Sequence, residues 1–321
     1  MRRVIITWSV VAALVVGAFA GTVAILNSTL YSASGFVHSY LDALSRRDAP
    51  GALELAGSGE RSTASRAMLK PGAMGQLEDI EFVSESRLAD GIQRVVFEYV
   101  AGGKPGESTF EVQRASAVLG LFTGWEFVVA PYSVVQLSVL NSQAFTANGV
   151  ELATPEQGTA IPLIVFTPTA VDVTWESTFL TANPLLVTAT QPGASVVAAL
   201  DVQPSSAFID QVQGEIDDFL DECVTQTVLL PTGCPFGQQI SNRIATTPEW
   251  SVSEYPEVTL VPGSEPASWL MPVTDASARL TVEVQSLFDG STTTFDEDVP
   301  FAVSYLVTFL ADDQVLITAQ R

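Results

Sequence analysis

Basic residues are scarce in this sequence. The chain of 321 residues has 14 Lys and Arg against 36 Asp and Glu, a formal net charge of −22. Between residues 115 and 242 there is no Lys or Arg at all. Nucleic-acid binding requires clusters of basic residues that neutralise phosphates. The shortage therefore excludes nucleic acid as a partner.

The acidic excess lies in the C-terminal two thirds of the chain. Residues 1–114 hold 11 basic and 12 acidic residues, whereas residues 115–321 hold 3 basic and 24 acidic ones. One interpretation is surface charge that keeps the protein soluble. The other is attraction to a partner of opposite charge, either a cationic envelope component or a protein partner.

Histidine and catalytic motifs are also missing. His38 is the only histidine, and it has no Ser, Cys or carboxylate at a recognisable catalytic spacing. The sequence contains no GxSxG motif, no phosphate-binding loop and no GxGxxG motif that leads into a helix. We therefore predict no catalytic residue, no cofactor, no cofactor-binding residue and no metal ligand, and an enzyme is the less favoured interpretation.

Cysteine is equally rare. Cys223 and Cys234 are the only two cysteines. Their spacing is too long for a CxxC redox or zinc motif, and a single histidine cannot complete a zinc site. In an oxidising compartment two such cysteines pair, and closing a loop near this size contributes roughly 3 kcal/mol. The sequence predicts a structural disulfide between them.

Charge is absent from one long apolar run near the N-terminus. Val4 and Leu26 bound this run, which as a helix would extend about 34 Å, enough to cross a hydrocarbon core of about 30 Å. Arg2 and Arg3 precede it, and the next basic residue is Arg46. By the positive-inside rule this asymmetry keeps the N-terminus in the cytoplasm. The sequence thus predicts a single-pass protein of the cytoplasmic membrane, anchored through residues 4–26, with an extracellular C-terminal body.

A cleaved signal peptide is the alternative. Ala18-Phe19-Ala20 matches the small-x-small pattern that precedes signal cleavage, and cleavage near Ala20 would release a secreted protein. It would also leave the apolar residues up to Leu26 on the mature N-terminus. For that reason we favour the uncleaved anchor.

Hydrophobic periodicity predicts an alternation of helices and strands in the rest of the chain. Amphipathic helices begin near Phe36 and Ser206, shorter helices are predicted at 63–69 and 238–244, and alternating apolar residues predict strands elsewhere. The predicted organisation is a cytoplasmic tip, transmembrane anchor and stalk (1–33), an α+β domain (34–140), a small β linker module (141–204) and a second α+β domain that carries the disulfide (205–321).

The start of the first α+β domain resembles the NTF2-like superfamily. The resemblance rests on residues 36–56, where one helix, the polar break Arg46-Arg47-Asp48-Ala49 and a second helix follow one another. It implies a cone in which helices pack into a curved antiparallel sheet, as in exported bacterial domains of this family that follow a single anchor. The second domain matches by the order of its elements alone, so the predicted fold class is α+β with two such domains.

Ketosteroid isomerases of this family combine an Asp base with a Tyr and a neutral acid inside the cone. Tyr40 and Asp42 lie on the corresponding helix, but Tyr40 belongs to the apolar stripe and Asp42 points away from it. The resemblance therefore implies the fold without the isomerase site.

Four acidic residues are predicted to cluster on the second amphipathic helix: Asp217, Asp218, Asp221 and Glu222. Like charges four residues apart repel one another on a helix. A bound cation would relieve this repulsion, but the spacing does not match a calcium loop. We prefer a solvated acidic face.

The predicted function is non-catalytic: binding, sensing or scaffolding at the outer face of the membrane. One alternative is a small-molecule pocket protein or enzyme within an NTF2-like cone. The other is a cation-responsive module built on the acidic cluster.

Overall fold

The computed structural model describes residues 2–57, 63–118, 121–265, 267–310 and 314–320, with only the backbone of residues 2–7, 9–11, 117 and 118. Within these residues the protein is α+β, with several curved, mostly antiparallel sheets. The described helices are α1 (Arg2–Ser28), α2 (Ala33–Ser45), α3 (Ala49–Ala56) and α4 (Ser206–Val224). The described strands are β1 (Leu77–Arg87), β2 (Gln93–Ala101), β3 (Lys104–Val118), β4 (Phe122–Phe127), β5 (Tyr132–Leu140), β6 (Ala144–Ala147), β7 (Val150–Ala153), β8 (Ile161–Phe166), β9 (Thr169–Thr174), β10 (Leu180–Ala182), β11 (Leu185–Ala189), β12 (Ser195–Pro204), β13 (Arg243–Ile244), β14 (Glu249–Glu254), β15 (Val261–Pro262), β16 (Ser268–Gln285), β17 (Thr292–Phe309) and β18 (Val315–Ala319).

The chain divides into two compact units. The first unit consists of Met1–Trp175 and Asn183–Asp201, and the second unit of Glu176–Ala182 and Val202–Arg321. These bounds differ from the predicted ranges because β5, expected to extend the sheet of β1–β4, pairs with β8 and β12 instead. Residues from the predicted ranges 34–140 and 141–204 therefore share the first unit.

In the first unit α2 and α3 pack on the antiparallel meander β1-β2-β3-β4. α2 begins at Ser32, whose hydroxyl accepts a hydrogen bond from the N–H of Gly35 (3.0 Å), which is a standard N-cap. Its apolar stripe is buried because residues spaced by three and four lie on one helix face. The buried members of that stripe are Val37, Tyr40, Leu41 and Leu44.

The rest of the first unit is built from strands that follow β4 in sequence. β5 pairs with β8 on one side and runs parallel to Ser195–Asp201 of β12 on the other, while β11, β9, β6 and β7 form a second, antiparallel sheet. Ile164, Phe166 and Ala170 from these strands belong to the same apolar core as α2 and the meander. One continuous core therefore explains why these segments form one unit.

In the second unit α4 packs against a sheet dominated by the long hairpin β16–β17. β13, β14 and β15 pair with β16, and β18 pairs with β17. Ser205 caps α4 by accepting from the N–H of Phe208 (3.1 Å). The buried stripe of α4 matches the predicted one in Phe208, Val212, Ile216, Leu220 and Cys223.

Two short predicted helices are wrong. Residues 63–69 form turns, because the backbone of Ser65 pairs with the edge of β8 through its N–H to Pro162 (2.8 Å) and its carbonyl to Ile164 (2.9 Å). Residues 238–244 are extended and end in β13, which pairs with β16. In both places pairing with a distant strand outweighs local helix propensity.

Candidate functional site

The helix α1 contains the whole predicted membrane span, residues 4–26. The side chains of Arg2, Arg3 and Val4 lie outside the described part of the chain, and Leu26 is partly buried near the helix end. Most of the described apolar side chains of α1 face solvent. Its large exposed members are Trp8, Leu14, Val15, Val16, Phe19 and Ile25. A contiguous apolar surface of this kind marks a site that contacts a membrane or another protein.

Judged by length and composition, none of the described helices qualifies by itself as a membrane span, although the bent pair Ala12–Ser28 and Ala33–Ser45, with 63° between its members, does.

The end of α1 is attached to the rest of the first unit by side-chain contacts. Asn27 donates to the carbonyl of Leu121 (3.1 Å) and accepts from the N–H of Thr123 (2.8 Å), so its amide occupies the edge of β4. Tyr31 stacks on Phe122 with ring centroids 4.3 Å apart. The segment expected to be a polar stalk therefore contacts β4, and these contacts restrict movement between α1 and the rest of the first unit.

The two cysteines form the disulfide that the sequence predicts. Cys223 is buried at the end of α4, and its Cα lies 5.8 Å from that of Cys234 in the following loop. The side-chain amide of Gln226 binds the same loop, donating to the carbonyl of Thr232 (3.2 Å) and accepting from its N–H (2.8 Å). The crosslink thus fixes the loop after α4.

Tyr40 and Asp42 do not converge on one site. Tyr40 is fully buried, and its hydroxyl lies 3.0 Å from the carbonyl oxygen of Pro131 and 2.9 Å from that of Thr167. Burial raises the pKa of Tyr40 well above its usual value. Asp42 instead forms a surface ion pair with Arg46 (2.8 Å). The phenol ties α2 to the strands behind it and has no access to a ligand.

The acidic face of α4 has hydrogen-bond donors as neighbours. Gln213 donates to Asp217 (2.8 Å), and the hydroxyl of Tyr255 donates to Asp221. The hydrogen bond to Asp221 raises the pKa of Tyr255 to about 12, with smaller contributions from burial and from the negative charges of Asp221 and Asp217. In the part of the chain that the structure describes, no group of three or more His, Cys, Asp or Glu side chains is arranged to hold a metal ion.

A cleft of about 410 Å³ opens in the first unit, where the chain leaves β4 and enters β5. Its walls include Leu69, Val129, Val134 and Ile164, and Arg66 is the charged residue that the structure places at it. This volume falls within the range of small-molecule sites, and mostly apolar walls with few polar groups are typical of them. We take the cleft as the candidate binding site.

Tyr132 provides the second polar group of the cleft. Its hydroxyl makes a long hydrogen bond to the carbonyl of Gly57 (3.4 Å). Burial raises the pKa of Tyr132, and the nearby charge of Arg66 opposes that rise. The positive charge of Arg66 therefore acts on the ionisation of Tyr132, and both residues line the same cleft.

Another hollow of the first unit, about 540 Å³, has a different character. Arg47 and Asp172 both line it, together with the side chain of Asn148. Because it carries both signs of charge, it has no preference for an anion or a cation. In the 410 Å³ cleft, by contrast, the charged residue among the described lining residues is Arg66.

Sequence reasoning missed Arg66, Tyr132 and Asn27. Arg66 fell in a segment predicted to be helical, and Tyr132 appeared as the first residue of an ordinary strand. The two residues line one cleft because Ser65 pairs with β8 beside β5. No local pattern in the sequence carries that information.

Comparison with known proteins gives no match: no protein-family model, no curated protein sequence and no solved structure is significantly similar to this chain.

Proposed function

We propose that the protein is a single-pass cell-envelope protein whose extracytoplasmic body binds partners or scaffolds them without catalysis. The observation that carries the proposal is the exposed apolar helix α1, attached at its C-terminal end to the rest of the first unit by Asn27 and Tyr31. An apolar helix of this length is unfavourable in water and favourable in a bilayer. Arg2 and Arg3 at its start favour a cytoplasmic N-terminus.

Two features support an extracytoplasmic body. The disulfide between Cys223 and Cys234 is typical of oxidising compartments. The acidic surface gives long-range attraction to cationic partners, which raises the rate of encounter with a cationic envelope component or a basic protein.

The NTF2-like fold is part of the same proposal. In the first unit, α2 and α3 against the meander β1–β4 support it, and the interior of this layer is filled by apolar side chains such as Phe97 and Phe110. In the second unit, α4 against the β16–β17 hairpin supports a second domain of related design. A filled interior favours binding on surfaces and in clefts over chemistry inside a cone.

The anchor is tested with the full chain expressed in bacteria. We expect it to remain in the membrane pellet after an alkaline carbonate wash, and external protease to digest the body in spheroplasts. Val16→Lys places a charge in the centre of α1 and should reduce membrane retention, since Lys at a helix centre costs about 2.5–3.5 kcal/mol. Val197→Lys, at a similarly exposed position on β12, is the matched control and should leave retention unchanged.

The mass of the mature N-terminus separates the anchor from the alternative. An N-terminus that begins just after Ala20 would support a secreted protein instead. A body protected from external protease in intact spheroplasts would overturn the proposed orientation.

Recovery of a partner from envelope extract at low salt, lost at high salt, is expected if the acidic surface recruits it.

A further inference from the structure

The cleft beside β5 combines the positive charge of Arg66 with apolar walls. In the described part of the chain no carboxylate lies within ion-pair distance of Arg66. Arg46, Arg94 and Arg279, by contrast, each pair with an aspartate or glutamate.

Tyr132 gives the same cleft a hydrogen-bond donor. Its bond to the carbonyl of Gly57 is long at 3.4 Å, so little is lost when the hydroxyl turns to another acceptor. The guanidinium of Arg66 and a phenolic hydroxyl are the donor types that bind a carboxylate through charge-assisted hydrogen bonds. The polar end of the cleft is therefore suited to one anionic group.

The remaining walls are suited to hydrocarbon. Leu69, Val134 and Ile164 line the cleft, and Val129 is 48% exposed beside it. Gly193 lies at the rim with a left-handed backbone (φ +76°), and a side chain there would approach Val129 to 3.2 Å. A glycine at this position keeps that part of the cleft open.

We propose that this cleft binds a small amphipathic monoanion, with its carboxylate on Arg66 and Tyr132 and its hydrocarbon part on the apolar walls. The volume of about 410 Å³ admits a medium-chain or aromatic carboxylate but not the two acyl chains of a phospholipid. The proposal concerns the first unit alone and goes beyond the envelope function proposed above.

The test uses the full chain in nanodiscs of zwitterionic lipid and octanoate labelled with ¹³C at its carboxyl carbon. Titration followed by ¹³C NMR, with empty nanodiscs as the blank, is expected to show saturable binding. Octanamide, the neutral analogue, should bind roughly tenfold more weakly because it lacks the charge that Arg66 recognises. Binding of octylammonium equal to or tighter than that of octanoate would overturn the proposal.

Three variants locate the site. Arg66→Gln should weaken octanoate binding by roughly tenfold, and Tyr132→Phe by a smaller factor. Arg87→Gln removes the same charge from an exposed position at the end of β1, outside the cleft, and should leave binding unchanged. Thermal unfolding of each variant checks that the fold is retained.

The outcomes are distinct. No saturable binding of octanoate, or equal loss in Arg66→Gln and Arg87→Gln, would overturn the proposal. Since the assay supplies the membrane, failure to bind octanoate leaves the anchor untouched, and failure of the carbonate and protease experiments leaves the cleft untouched.

Discussion

The two units of this chain share a plan, an amphipathic helix followed by long antiparallel strands, yet they differ in charge and in what fixes the helix. The first unit holds 11 basic and 17 acidic residues, a balance of −6, and the second unit holds 3 basic and 19 acidic ones, a balance of −16. The proposed anion site lies in the less acidic unit. Long-range repulsion of an anion is weaker there.

The first unit joins its layers through buried polar groups. Tyr40 on α2 contacts the carbonyl oxygens that flank β5 and β8, and the hydroxyl of Ser108 on β3 contacts Tyr99 (2.7 Å) and the carbonyl of Thr190. Asn148 joins the segment before β1 by donating to the carbonyl of Ala73 (2.9 Å). These bonds are directional, so they specify one arrangement of segments that are far apart in sequence.

The second unit fixes its helix with a local crosslink. The disulfide joins the end of α4 to the loop that follows it, and Trp250 on β14 donates to the carbonyl of Val228 in that loop (2.8 Å). The comparison indicates that a helix can be positioned either by polar contacts to distant backbone or by a covalent bond to a neighbouring loop. In each unit, substitution of the residues that position the helix should therefore cause the largest loss of stability.

Substitution of Tyr40 is expected to give the largest loss of stability in this comparison. Tyr40→Ala removes a fully buried ring and should lower the free energy of unfolding of the first unit by about 3–5 kcal/mol. Tyr40→Phe keeps the ring but leaves the carbonyl of Thr167 without this donor, and should cost about 1–3 kcal/mol. Pro131 loses less, because its carbonyl also accepts from the N–H of Thr167 (2.9 Å). Hydrogen exchange, which reports each unit separately, is the measurement.

Tyr305→Phe in the second unit is the matched control. Tyr305 is also largely buried, but its hydroxyl makes no hydrogen bond to the described residues and is not enclosed, so it remains in contact with solvent. Its removal should change stability by less than about 0.5 kcal/mol. If Tyr40→Phe were equally neutral, the polar contacts would not be what positions α2.

Loss of the disulfide is the next largest expected effect, and it should fall on the second unit. Replacing Cys223 and Cys234 together by Ala should destabilise that unit by roughly 3 kcal/mol. Amide exchange in α4 should accelerate while exchange in α2 stays unchanged. Reduction of the unmodified chain should reproduce the change. Faster exchange in α2 as well would contradict independent stabilisation of the two units.

The sequence predicts the individual helices and strands better than it predicts which strands pair with one another. Apolar spacing of three and four identifies α2 and α4, and alternation identifies most of the long strands, because both patterns are local. The disulfide can also be predicted from the sequence, since two cysteines allow only one pairing. Pairing of β5 with β8 and β12, by contrast, depends on contacts between distant segments that no local pattern records.

The candidate site shows the same limit. Arg66 and Tyr132 belong to segments that the sequence marks only as a helix and a strand start. Both line one cleft because Ser65 pairs with β8 and so places residues 65–69 beside β5. Tyr40 was correctly assigned to the apolar stripe, but its contact with Thr167 spans 127 positions and its role as a tie was not predictable.

The smallest expected effect concerns tyrosine ionisation, because the cause that raises the tyrosine pKa differs between the two units. In the first unit burial raises the pKa of Tyr40, Tyr99 and Tyr132. In the second unit the hydrogen bond to Asp221 raises the pKa of Tyr255 to about 12. Asp221→Asn should therefore move the pKa of Tyr255 back toward the usual value near 10. Absorbance of the phenolate near 295 nm during an alkaline titration, compared between the two proteins, measures the shift.

The sign of the stability effect follows from that pKa. Tyr255 binds its proton more tightly in the folded protein, so its contribution to stability is complete below pH 10 and disappears as the pH rises from about 10 to about 12. Asp221→Asn should remove this pH dependence and leave the burial-driven titration of the first unit unchanged. Added salt should lower the pKa of Tyr255 slightly, because part of the shift comes from the charges of Asp221 and Asp217 at an exposed site. A Tyr255 pKa unaffected by Asp221→Asn would assign the shift to burial and remove this difference between the units.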